Sequence, residues 1–111
     1  MKAGDIVLMP LPQSDGQVKS RPVILLKQLP PFKDWLVAGI STQLHQEVKG
    51  FDWPLLSGDP AFASARLKAQ SIIRLGFLDM VEEKSIRGAI GNVDTTIVKQ
   101  LLKRLADYLV K

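Results

Sequence analysis

At 111 residues, 46% of them hydrophobic, the chain has the material for one compact domain and not for two. Its 15 Lys and Arg against 11 Asp and Glu leave a formal net charge of +4, which favours an anionic partner without naming one, because an excess of this size also occurs in proteins that bind no polyanion. Cysteine is absent, and with it go disulfide staples, thiolate nucleophiles and cysteine-based zinc sites.

Met1 to Asp5 lead straight into a strand-like run without the apolar stretch of a signal peptide. No segment reaches the length of a membrane span, so the expected compartment is the cytoplasm, with no membrane partner. Ile6 to Met9, apolar and held between Gly4 and Pro10, suits a buried strand. Pro10 to Ser20 then supplies turn formers and side-chain acceptors but little core, and reads as a flexible loop with Asp15-Gly16 at its tip. Val23 to Leu26 is a second strand, with Pro22 tolerated at its start. Trp35 to Ile40 is a third, and the Pro30-Pro31 break between them fits a meander.

Phe51 to Leu56 mixes apolar residues around Pro54, as in an edge strand. Ala61 to Ala69 reads as a crossing segment into a strand at Ser71 to Leu75. Ile86 to Val93 carries Gly88 and Gly91, spaced like points where a strand bends or is approached by another backbone. Asp94 can cap a helix beginning at Thr95, along which Ile97, Val98, Leu101, Leu102, Leu105 and Leu109 recur at helical spacing, with Lys99, Lys103 and Arg104 mainly on the other face. Five or more short strands followed by one helix indicate a small, strongly bent sheet or partly open barrel, not alternating βαβ units. A single domain this small leaves much apolar surface uncovered, so a homodimer is expected.

No glycine-rich phosphate loop, nucleophile elbow or histidine pair at metal-ligand spacing occurs, and no metal or cofactor is expected. The single histidine, His45, lies in a polar stretch, where a solvated surface role is the ordinary one. Arg21 stands where the polar loop meets the second strand. There a guanidinium either solubilises a strand end or clamps a phosphate through paired hydrogen bonds. Ser41-Thr42-Gln43 ends the third strand in the same way, and by itself reads as ordinary turn chemistry.

Taken in order, Gly4-Asp5-Ile6-Val7, Arg21-Pro22-Val23-Ile24-Leu25-Leu26 and Ile40-Ser41-Thr42-Gln43 resemble three successive signatures of the MazF/PemK toxins. Leu67 to Arg74 is similar to that family's next strand, although Gln70-Ser71 lacks the Asp-Gln-x-Arg form of many members, so no carboxylate carries over from it. Gly88 to Asp94 completes the likeness, whereas Phe51 to Ala65 has no counterpart in the pattern.

The resemblance implies an SH3-like β-barrel with a C-terminal helix. It also implies metal-independent cleavage of single-stranded RNA at short motifs to a cyclic phosphate and a free 5′ hydroxyl, and a cognate antitoxin as partner. The attacking 2′ oxygen belongs to the substrate, so the enzyme must align it, stabilise charge on the phosphoryl oxygens and assist proton transfer. On the family pattern Arg21 takes the electrostatic and acid role. Because any guanidinium holds its proton tightly, charge stabilisation is the role assigned to it here. Ser41 matches a position usually held by Thr and keeps the oxygen needed to orient the phosphate or relay a proton. Lys19, Lys68 and Arg74 are candidate phosphate contacts, and Gln13, Thr42, Gln43 and Ser71 candidate polar contacts to RNA. The competing readings are a non-catalytic SH3-like binding module, or a gyrase-directed toxin of the same fold that binds without cutting.

Overall fold

The computed structural model describes every residue except Gln13, together with the backbone but not the side chains of Leu11 and Pro12. Six strands, β1 (Asp5–Pro12), β2 (Val18–Leu29), β3 (Asp34–Ser41), β4 (Trp53–Leu55), β5 (Ser71–Val81) and β6 (Ala89–Asn92), form one antiparallel sheet in the order β4-β5-β3-β2-β1-β6. Helix α1 (Pro60–Ala65) lies between β4 and β5, and helix α2 (Thr95–Leu109) follows β6. The sheet curls into a half-barrel, so the mainly β fold with a C-terminal helix expected from the sequence is the one observed. Register shifts bend it at Ile6/Val7 in β1, at Leu25/Lys27 in β2 and at Ala38/Gly39 in β3, the usual means of turning a flat ladder into a curved one.

The central strands β2 and β3 are buried on both faces, which is why Val23 to Leu26 and Val37 to Ile40 are unbroken apolar runs and not alternating ones. On one face Ile24, Leu26, Ala38, Ile40, Ile73 and Leu75 meet Val98, Leu101 and Leu105 of α2. On the other, Val7, Met9, Val23, Leu25, Trp35, Val37 and Val81 pack together without help from α2. Each fully buried aliphatic side chain contributes on the order of 1.5–3 kcal/mol, so the two layers share the work of holding the sheet.

Asp94 caps α2 as expected, its Oδ1 accepting from the Thr96 backbone N–H at 2.8 Å and from the Thr96 hydroxyl at 2.9 Å. Both hydrogen bonds favour the charged carboxylate, the backbone bond most, and hold it below its ordinary value of 3.8. Two residues of this helix depart from the expected pattern. Leu109 is 70% exposed, in a last turn where Tyr108 and Val110 are exposed too. Arg104 belongs to the packed side, with its guanidinium 4.7 Å from the centre of the Trp53 ring and Nη1 donating to the carbonyls of Asp52 at 2.7 Å and Phe51 at 3.3 Å.

The expected flexible loop from Pro10 to Ser20 is mostly hairpin. β1 and β2 pair from Ile6↔Ile24 out to Pro12↔Val18, and the turn is set by Asp15, whose Oδ1 accepts from Gln17 N at 2.9 Å. Cross-strand pairing overrides a polar composition there, and the β2 arm from Val18 to Arg21 stays exposed. β5 likewise runs on past Leu75 to Val81. Of the run expected from Ile86 to Val93, β6 covers Ala89–Asn92, and a 3-10 turn at Glu83–Ser85 precedes the run. Of its two glycines, Gly88 meets open space, whereas a Cβ at Gly91 would collide with the carbonyl group of Ala65 at the end of α1.

Candidate functional site

β2 is twelve residues long but pairs with β3 only from Val23↔Gly39 onward. The carbonyl of Leu25 accepts from Gly4 N at 2.8 Å, on the β1 side. Residues alternate in facing along a strand, so Ile24 and Pro22 turn their backbone groups toward β3. Proline has no N–H to offer, and the ladder stops one rung short of it. Beyond that point the strands part, leaving an open cleft of about 270 Å³. Ser14, Arg21 and Pro22 line it from the hairpin, Gly39 to Gln43 from the end of β3, and Arg74 and Phe77 from β5.

Among the described residues the lining holds two guanidinium groups and no carboxylate. Among the described residues Arg74, half-buried, has no hydrogen-bond or ion-pair partner. Ser41 Oγ accepts from the backbone N–H of Gln43 at 3.0 Å. That bond fixes the oxygen and occupies one lone pair, leaving the hydroxyl proton to be donated outward. Thr42 and Gln43 add a second hydroxyl and an amide on the exposed side. Two guanidinium groups lining one cleft with a fixed hydroxyl donor suit the charge and hydrogen-bonding needs of a phosphodiester.

Five of the residues singled out from the sequence therefore meet in one place: Arg21, Ser41, Thr42, Gln43 and Arg74. Lys19 is exposed two residues before Arg21, on the same side of β2 and further out along the hairpin. Lys68 is exposed on the connection into β5 and does not line the cleft. Ser71 is not brought there either; it is 2% exposed, with its hydroxyl donating to the carbonyl of Ala69 at 2.9 Å. Gln13 lies outside the described residues, and His45 sits exposed on the 3-10 turn Leu44–Gln46, away from the cleft lining. Ser14, Gly39 and Phe77 also line the cleft, and the sequence marks none of them as a site residue. Ser14 had no feature to separate it from other loop serines, and Phe77 falls beyond the expected end of its strand.

A second cleft, about 710 Å³, lies between Trp53, α1 and the start of α2. Its charged groups already serve the fold. Asp59 accepts from Leu56 N at 3.0 Å, Asp94 caps α2 and Arg104 ties down two carbonyls. Among the described residues no group of three or more His, Asp or Glu side chains gathers as a metal site.

A family model described as PemK-like, MazF-like toxin of type II toxin-antitoxin systems matches residues 2–109. The chain belongs to that toxin family. Membership covers nearly the whole sequence and makes an antitoxin the partner that the PemK/MazF family implies. No curated protein sequence matches significantly. Within the PemK/MazF frame the Gly4-Asp5 signature is structural, with the Gly4 backbone bonded to both Leu25 and Val93 and the Asp5 carboxylate accepting from Lys2 N at 3.0 Å. The Arg21-Pro22 and Ser41-Thr42-Gln43 signatures are the ones that face the cleft.

Proposed function

We propose that this chain is a metal-independent endoribonuclease toxin that cleaves single-stranded RNA at short motifs, acts in the cytoplasm as a homodimer and is neutralised by a cognate antitoxin. The observation that carries the reading is that Arg21, Ser41 and Arg74 line one cleft. A docking module has no need of a hydroxyl and two guanidinium groups lining the same space.

In this reading the scissile phosphate sits between Arg21 and Ser41. The substrate's own 2′ oxygen attacks phosphorus, a P–O2′ bond forms, the P–O5′ bond breaks, and the 2′ proton is passed on so that the 5′ oxygen leaves as a hydroxyl. Arg21 stabilises the charge that builds on the phosphoryl oxygens, and the Ser41 hydroxyl, held by the Gln43 amide, orients the phosphate and serves proton transfer. Arg74 and Lys19 track neighbouring phosphates, while Thr42 and Gln43 reach polar edges of splayed nucleotides. An acidic, disordered antitoxin segment would lie across the same basic cleft and mask it.

The test is incubation of the purified protein with a long RNA in excess EDTA. Discrete fragments ending in 2′,3′-cyclic phosphate are expected, with Arg21→Ala slowed by ~10²–10³. Ser41→Thr should retain activity that Ser41→Ala loses. Uncut RNA, or equal cutting by wild type and Arg21→Ala, would refute the assignment.

A further inference from the structure

Phe77 is a large aromatic residue left 40% exposed inside the candidate cleft, and the way it is held there points to a use. On β5 the pairing with β3 jumps from Arg74↔Gly39 to Leu78↔Ala38, so Leu75, Gly76 and Phe77 have no partner across the ladder. The jump returns Phe77 to the face that carries Arg74, and its ring leans over Gly39. A Cβ at Gly39 would lie 2.8 Å from Cδ1 and 3.0 Å from Cγ of that ring. Gly39 is thus the seat that lets the ring come down onto the strand, beside the end of β3 that carries Ser41. One edge of the ring is fixed against protein, while the rest faces the space shared with Arg21, Ser41 and Arg74. Burying Phe77 in either apolar layer would have been favourable, yet it belongs to neither.

We infer that Phe77 is a stacking platform for the base of a nucleotide next to the phosphate held by Arg21 and Ser41. This rests on the nuclease reading for the nature of the ligand and adds the means by which a single strand is held base by base. An aromatic face beside two cations suits an unpaired nucleotide, since every base has a π-face to stack and a phosphate within reach of a guanidinium. The same geometry disfavours a duplex, whose bases are already stacked on one another. Arg21 and Ser41 grip the backbone, and Phe77 sets where along it the strand comes to rest. Phe77 is therefore a positioning residue.

The experiment compares two uncleavable single strands of equal length: a mixed-sequence deoxy-oligonucleotide, which lacks the 2′ hydroxyl, and a fully abasic one. Affinities for the full-length protein are read by fluorescence anisotropy for wild type, Phe77→Leu and Phe77→Tyr, with folding checked by circular dichroism. Wild type should bind the base-bearing strand about tenfold or more tighter than the abasic one. Phe77→Leu, which keeps apolar bulk but loses the aromatic plane, should bind the two alike, and Phe77→Tyr should restore the preference. A base preference unchanged in Phe77→Leu would overturn the inference. So would a wild type that binds both strands equally, or a Phe77→Leu variant whose only change is in oligomeric state, which would make Phe77 a protein contact. The nuclease reading is judged separately by RNA cutting in EDTA, so a protein that cuts RNA but shows no Phe77-dependent base preference defeats this inference alone.

Discussion

Asp52 is the sharpest test of how the cleft is held in shape. Its carboxylate is 3% exposed and accepts two backbone bonds, from Leu75 N at 3.0 Å to Oδ1 and from Val48 N at 2.9 Å to Oδ2. The β4–β5 ladder ends at Trp53↔Ile73, so the side chain of Asp52 takes over where the backbone of β4 stops and pins β5 at the residue after Arg74. Asp52→Ala removes both acceptors and strands the buried Leu75 amide. Hydrogen bonds to a charged group contribute ~1.5–3 kcal/mol each, and with the Val48 bond only partly buried a combined loss of about 3 kcal/mol follows. At ~2.1 cal/mol/K per residue the chain's unfolding entropy is roughly 0.23 kcal/mol/K, so the melting temperature should fall by about 13 °C. Asp52→Asn keeps one acceptor and should lose about half as much. Thermal melts followed by circular dichroism, with urea titrations to check that the m-value is unchanged, measure both variants. A fall of less than about 2 °C in both would show that β5 does not depend on this carboxylate.

Gly91→Ala would drive a methyl group into the Ala65 carbonyl, so α1 must lift from β6. A loss of about 1–3 kcal/mol, or more if the helix cannot yield, should appear in urea denaturation, and an unchanged midpoint would rule out the close approach. Arg74→Ala should weaken binding of an uncleavable oligonucleotide about equally across sequences and reduce the slope of log K against log salt by roughly 0.7, as expected when one phosphate of a single strand is no longer neutralised; an unchanged slope would remove Arg74 from the interface. The Asp94 cap carries the pH prediction. Its folded-state pKa lies below its ordinary 3.8, so its stabilisation is present above that value and is lost as pH falls through the folded-state pKa. Asp94→Asn should flatten this part of the acid limb when melting temperature is followed from about pH 5 to about pH 2, and identical limbs would refute the linkage.

The half-barrel and its terminal helix were legible because their signals are local: short apolar runs bounded by proline and glycine, and a capped amphipathic repeat from Thr95. The ends of the elements were less so. The outer hairpin arms, Pro10 to Pro12 and Val18 to Arg21, are rich in proline or polar residues and strand-like only through their pairing, and the lower half of β5 hides behind Gly76. Arg21 and Ser41-Thr42-Gln43 could be picked out by family likeness, whereas by themselves they read as a strand-end arginine and ordinary turn chemistry. Arg74 lines the cleft, but Ser71, three residues earlier, faces the interior, because two positions an odd number apart on a regular strand point to opposite faces. Nothing in the sequence marks Phe77, whose exposure follows from an irregularity in the pairing of two strands.

A sheet clothed in apolar residues on both sides has a degenerate code. If β3 slid one position along β2, Val23 to Leu26 would still be met by Val37 to Ile40, and hydrophobicity would scarcely notice. The exceptions must keep the alignment. Pro22 fixes where sideways bonding to β3 ends, and Gly39, where a Cβ would lie 2.8 Å from Cδ1 of Phe77, fixes how β3 meets β5. The same two residues that shape the opening thus also count off the strands, so drift at either would blur the alignment of the sheet and the mouth of the site together.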